Sequence, residues 1–363
     1  MNALDTAVAA VVRAAEPHAT AVTVAVARGE RQEVRCHGRT GRGRAAACTP
    51  DTVFELGSVS KTFTALLLAE MAARGELALD DPLEHRLPPN WPPVPSRCSQ
   101  PVRLLHLATH TSGLPRLPPG LLAAALPRWR SNPYAAFGDD DLRTALARTA
   151  PRRRPGEHYR YSNYGVGLLG RALAETGRSP YGTLLAERIC GPLGLRATGC
   201  APDAPGRATG HLRGRELPPW HAPGLPGAAA VRASGADVLR YLRAHLDGLN
   251  GMNGLSGMNG LDGPNGLDAA VGTSLGAALR EVQRPRLRLP RSGDEVCLVW
   301  NHRRSGGHDL YFHAGATRGF TVLVGFSPQT AAAVAALANT GSTLGSHVVQ
   351  AGYEVLRVAA RTA

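Results

Sequence analysis

Read only as apolar and polar positions, the chain changes texture several times. Residues 1–17, MNALDTAVAAVVRAAEP, place apolar positions at helical spacing, interrupted by Asp5 and Arg13, which predicts an amphipathic helix. TAVTVAVARG and RQEVRCHG then alternate apolar and polar residues about Gly29, the pattern of two antiparallel strands joined by a tight turn. From Ser58 the period becomes helical. Phe63, Leu66, Leu67, Leu68 and Met71 cover most of the circumference, so this helix is expected to be buried on nearly every side and to stop at Gly75.

Between about 78 and 227, prolines punctuate short helical pieces and β-branched runs are scarce. FTVLVGF and AAAVAALAN flank the turn SPQT and read as paired strands, followed by a helix over about 344–360. Strands at both ends around a helical middle predict an α/β (α+β) fold. In this reading an antiparallel β-sheet flanked by helices is built from residues 1–77 and 228–363, with an all-helical insertion over 78–227. Residues 248–268, GLNGMNGLSGMNGLDGPNGLD, repeat Asn-Gly with Leu or Met; so many glycines oppose a regular helix, and a flexible expanded loop is expected.

With 43% hydrophobic and 19% charged residues in 363, the balance is that of a globular chain. The net charge of +13 would suit an anionic macromolecule, but the arginines are dispersed and their one dense run, residues 152–154, reads as a solvated loop before Pro155 and Gly156. No zinc-finger spacing or RNA-binding pattern accompanies it, so no nucleic-acid partner is expected. The cysteines at 36, 48, 98, 190, 200 and 297 lack a CxxC pair and read as small hydrophobes, implying neither a zinc site nor a disulfide framework. No window approaches eighteen apolar residues, and the first helix lacks a basic start and an unbroken apolar centre. A cytoplasmic protein without a membrane span is therefore expected.

The charge count does single out Lys61, the one lysine among 41 Lys and Arg residues. Arg keeps its proton inside proteins, whereas Lys loses it when desolvated or set beside another cation. A lysine kept against an arginine background points to proton chemistry. Ser58-Val-Ser-Lys61 places a hydroxyl and an amine at i and i+3 on one face of a helix start, where unpaired N–H groups and positive potential favour an oxyanion and disfavour an ammonium.

In YRYSNYG, Tyr161 and Asn163 lie two apart and project to one side of an extended backbone. A phenol near a lysine can ionise below its usual value and take a serine proton, and an amide can hold a substrate carbonyl and the lysine together. In YFHAGATRGFTVLVGF, His313 and Gly315 share a strand face, the glycine lets substrate lie along the strand, and the Ala316 N–H offers a second oxyanion donor. Singly, each piece has a plainer reading: a helix cap, a turn, a structural histidine. GVGLLG, residues 165–170, fits a dinucleotide fingerprint, but YRYSNY rather than a buried apolar strand precedes it; close helix packing is expected instead, and no cofactor. His106 and His110 sit four apart without the glutamate of a zinc-protease motif, so no metal is expected.

In this order and at these separations, Ser58-x-x-Lys61, Tyr161-Ser-Asn163 and His313-Ala-Gly315 resemble the serine β-lactamase and penicillin-binding-protein superfamily, in its branch of class C β-lactamases, D-alanyl-D-alanine carboxypeptidases and esterases. LLHLATHTSGLP at 104–115 is similar to that family's LLTHTSGLP segment, and CGPLGLRATG at 190–199 to its PLGM-x-x-T segment. The resemblance implies Ser58 as the acylated nucleophile, Lys61 and Tyr161 sharing general-base and general-acid duty, and Asn163 orienting substrate and Lys61. It places the oxyanion hole at the N–H groups of Ser58 and Ala316, and His313 where class C β-lactamases carry a lysine. The implied reaction is acylation of Ser58 with loss of an alcohol or amine, then transfer to an acceptor. Hydrolysis of a small ester or amide is the first expectation, with acyl transfer to an alcohol or amine in natural-product biosynthesis as the alternative. His-Ala-Gly in place of Lys-Thr-Gly removes the cation that receives a β-lactam carboxylate. That change and the N-terminal pattern argue against antibiotic resistance or cell-wall processing as the role.

Overall fold

A computed structural model describes residues 3–16, 18–96, 100–151, 153–247, 266–341 and 347–361. Eight strands form one antiparallel sheet in the order Arg31–Gly38, Ala21–Arg28, Ala332–Ala338, Thr321–Ser327, His308–Ala316, Asn301–Ser305, Glu295–Val296, Leu287–Arg288. The expected hairpins are present. Arg28 faces Arg31 across Gly29, and Ser327 faces Ala332 across SPQT.

The alternation in Ala21–Arg28 suggested one wet face, yet nearly the whole strand is buried. Helices cover both sides of it, and the period survives as a sorting of sizes. Val22, Val24 and Val26 meet one cluster, while Ala21, Ala25 and Ala27 meet the other. The outer face is closed by helices Ala3–Ala15 and His347–Arg361, both amphipathic as their sequences predict. The inner face is covered by helix Gly235–Asp247; Ser60–Ala73 lies beyond it, with Phe63 stacked on Tyr241, and Gly266–Glu281 packs against Ser60–Ala73.

Ser60–Ala73 is buried on every side along almost its whole length, and the chain leaves it at Gly75 with φ of +75°. Residues 78–227 carry the expected short helices, among them Leu104–Ala108, Asp139–Ala147 and Asn163–Thr176, and add a small hairpin of Gly210–Leu212 with Arg215–Leu217. GVGLLG lies inside the helix Asn163–Thr176. A Cβ on Gly167 would sit 2.0 Å from Leu225 Cδ2, and one on Gly170 3.2 Å from Gly227 Cα, so these glycines let helices approach closely. The loop expected over 248–268 lies outside the described residues up to 265; residues 266–268 open the helix Gly266–Glu281. Cys190 and Cys297 are buried, Cys36, Cys48 and Cys200 half-buried, and all five are free thiols. No helix among the described residues is long and apolar enough to cross a membrane.

Candidate active site

A single turn of 3₁₀ helix, Gly57–Val59, joins the short strand Val53–Glu55 to the helix Ser60–Ala73 and carries Ser58. Lys61, one turn on, is fully buried. Its Nζ lies 3.0 Å from Ser58 Oγ and donates to the Ala228 carbonyl at 2.8 Å. Burial first, and the Arg116 charge second, hold its pKa well below the usual lysine value. A buried ammonium without a carboxylate is strongly disfavoured, so this amine is held towards its neutral form.

Tyr161 arrives from a segment 103 residues downstream and donates its O–H to Ser58 Oγ at 2.7 Å. Lys61 Nζ lies 5.0 Å from the centre of its ring. The expectation that this phenol ionises readily is overturned: burial, only partly offset by the bond to Ser58 and the Arg116 charge, raises its pKa to about 12. Two neighbours therefore share one serine with opposite shifts, a neutral amine and a protonated phenol. Tyr161 O–H and Lys61 Nζ both donate to Ser58 Oγ, and a second lysine N–H is held by the Ala228 carbonyl.

Asn163 is placed differently from expectation. Its amide donates to Tyr134 O–H at 2.9 Å rather than reaching Lys61, and its buried Oδ1 has no partner among the described residues. Asn163 lines the same pocket as Ser58.

The strand His308–Ala316 closes the other side. A Cβ on Gly315 would fall 2.1 Å from the Leu56 carbonyl oxygen and 3.1 Å from Ser58 N; only glycine permits this approach. In the hairpin Thr317 donates its N–H to Phe320 O, and antiparallel alternation then turns the Ala316 N–H away from the partner strand, towards the Ser58 turn. His313, two residues back on the face of Gly315, is buried beneath the site and does not line the pocket. Burial lowers its pKa to about 3, so it is neutral and supplies no cation.

Several contributors escape a sequence reading. The 104–115 segment forms the bed of the Tyr161 loop: His110 Nδ1 accepts the Ser162 N–H at 3.2 Å, its ring lies 4.5 Å from that of Tyr161, and Ser162 Oγ donates to Pro115 O at 2.7 Å. His106 instead accepts the Arg103 N–H, so the two histidines read as a spaced pair serve different backbones. Glu55 accepts the Trp220 N–H and the Thr317 hydroxyl, both at 2.7 Å, and burial raises its pKa. It ties the strand before Ser58 to the Ala316 turn. Tyr134, Trp129 and Trp220 wall a pocket of about 260 Å³ beside Ser58. His110 and Pro115 were legible as part of a quoted motif; Glu55, Tyr134 and the two tryptophans carried no local signal.

Known proteins place this arrangement. The chain is 31% identical over 231 residues to the D-alanyl-D-alanine-carboxypeptidase/endopeptidase AmpH of Escherichia coli (strain K12), covering 63% of this chain and 58% of that one. It is 30% identical over 190 residues to the esterase EstB of Burkholderia gladioli, covering 52% and 48%. The chain thus matches about half the length of these curated relatives. Its fold is that of a β-lactamase/D-alanine carboxypeptidase from Pseudomonas syringae, with a TM-score of 0.77 at 21% identity over 98% of this chain and 97% of the other. The profile of the Beta-lactamase family matches from residue 5 to residue 359, nearly end to end, and the chain belongs to that family.

Proposed function

We propose that the protein is a serine acyl-transfer enzyme that hydrolyses a small ester or amide through an acyl-enzyme at Ser58. The observation that carries this reading is the hydrogen-bonded run from Tyr161 through Ser58 to a lysine buried against a carbonyl. Neutral Lys61 takes the proton as Ser58 Oγ attacks the substrate carbonyl carbon, and the N–H groups of Ser58 and Ala316 hold the oxyanion. As the tetrahedral intermediate collapses, the bond to the leaving oxygen or nitrogen breaks, and the leaving atom takes a proton through Tyr161, which Lys61 restores. Water then attacks the ester carbon, gives its proton to the same pair and releases the acid. Gly315 keeps the two N–H donors close, and Asn163 holds the substrate. The named activities of the two curated relatives, carboxypeptidase/endopeptidase and esterase, support amide and ester substrates.

The test is intact-mass detection of an acyl adduct on the protein after mixing with an activated ester, repeated with Ser58→Ala. An adduct in the parent alone supports the reading, and an equal adduct in the variant overturns it. Product analysis with added alcohols and amines separates hydrolysis from acyl transfer: free acid is expected throughout.

A further inference from the structure

His313 is buried and neutral and supplies no cation, yet the pocket beside Ser58 is not neutral. Arg116 and Arg318 both line it beside Ser58, and its described lining holds no Asp or Glu. Each guanidinium lies on an aromatic ring, Arg116 at 5.5 Å from the centre of Tyr161 and Arg318 at 5.2 Å from that of Trp129. Among the described residues neither has a carboxylate within ion-pair distance, whereas the guanidiniums of Arg86, Arg188 and Arg303 are paired with acids.

Both arginines are also held at the root. The Arg116 carbonyl accepts the Asn163 N–H at 2.9 Å, and Arg318 stands in the turn closed by Thr317 N–H to Phe320 O at 3.0 Å. One therefore flanks the proton-delivering side of Ser58 and the other the oxyanion side. Stacking on a ring fixes a guanidinium's plane while leaving its N–H fork free, the arrangement that receives a carboxylate in bidentate fashion.

We infer that the substrate is a carboxylate-bearing ester or amide whose acidic group is received by Arg116 and Arg318. This rests on the acyl-enzyme reading above. The apolar part of the substrate lies against Trp220 and Leu121, which wall the remainder of the pocket.

The experiment compares kcat/KM for matched esters: p-nitrophenyl butyrate against mono-p-nitrophenyl glutarate, which carries the charge on the acyl side, and phenyl acetate against 4-acetoxybenzoate, which carries it on the leaving group. In at least one pair the anionic member is expected to be favoured by roughly tenfold per arginine engaged, the size of one charge-assisted hydrogen bond. That ratio should fall towards one in the double variant Arg116→Gln/Arg318→Gln and be largely retained in Arg318→Lys. Equal or better use of the neutral member in both pairs overturns the inference. So does a preference that persists in the double variant, which would be general attraction by a chain of net charge +13. If no ester of either kind acylates Ser58, the acyl-enzyme reading itself fails; neutral adducts without an anionic preference sink only the substrate assignment.

Discussion

The two faces of the sheet solve different problems with the same strands. The outer face, under helices Ala3–Ala15 and His347–Arg361, is a cluster of buried Val, Ala and Leu. The inner side, which holds Gly235–Asp247, the Ser58 turn and Ser60–Ala73, buries Lys61, Thr62, Thr64, Glu70 and His313 together with its leucines. Polar burial is costly unless each group is paired or neutral, so the outer face contributes stability and the inner face trades some of it for chemistry. Lys61, Tyr161 and His313 each have a pKa displaced chiefly by loss of solvent, and they adjoin the turn that carries Ser58.

The strongest way to break this contrast is at the inner face. Ser58→Ala and Lys61→Met should each lower the acylation rate by about a thousandfold or more while the melting temperature holds, because methionine fills the lysine's volume without a base. Stopped-flow acylation beside thermal unfolding checks this; near-normal acylation by Lys61→Met would remove the lysine from the mechanism. Lys61→Arg should also fail, and with a lower melting temperature than Met, since a larger guanidinium brings five donors to a site offering Ser58 Oγ and Ala228 O. Tyr161→Phe is expected to slow acylation by about a hundredfold to ten-thousandfold, with the ring still seated on His110 and folding unchanged.

At the outer face the outcome should reverse. Leu356→Ala removes a fully buried side chain and should cost about 2–5 kcal/mol in a denaturant titration, leaving the acylation rate of the folded fraction unaltered. A rate change comparable to that of Tyr161→Phe would show that the faces are not separable. The finest test is the pH profile. Because burial lowers the Lys61 pKa, its basic form is populated from well below the usual lysine value; acylation should rise through that low pKa as pH increases and decline only as Tyr161 approaches about 12. A rise centred near an ordinary lysine value would contradict the burial.

Most of the fold was legible because each strand and helix repeats a local period over many residues. The Ser58, Lys61 and Tyr161 constellation was legible because two members share one helical turn and the third sits in a recognisable Tyr-Ser-Asn. The state of these residues was not. Whether Tyr161 is easier or harder to ionise depends on how much water the assembled site excludes, and His110, packed on its ring, comes from another segment. Asn163 shows the same gap: its partner Tyr134 lies on a segment that no motif marks.

The sheet order also sets a timetable. Ala21–Arg28 lies between its hairpin partner and Ala332–Ala338, and Asn339 Oδ1 accepts the Ala21 N–H across 318 residues. At ribosomal speeds of about 5–20 residues per second, that strand waits roughly a quarter of a minute to a minute for its neighbour. Ser58, Lys61 and Tyr161 are all synthesised before the strand that brings Ala316. A nascent chain stalled before residue 308 should therefore carry the nucleophile and give no adduct: the reactive serine stays latent until translation is nearly complete.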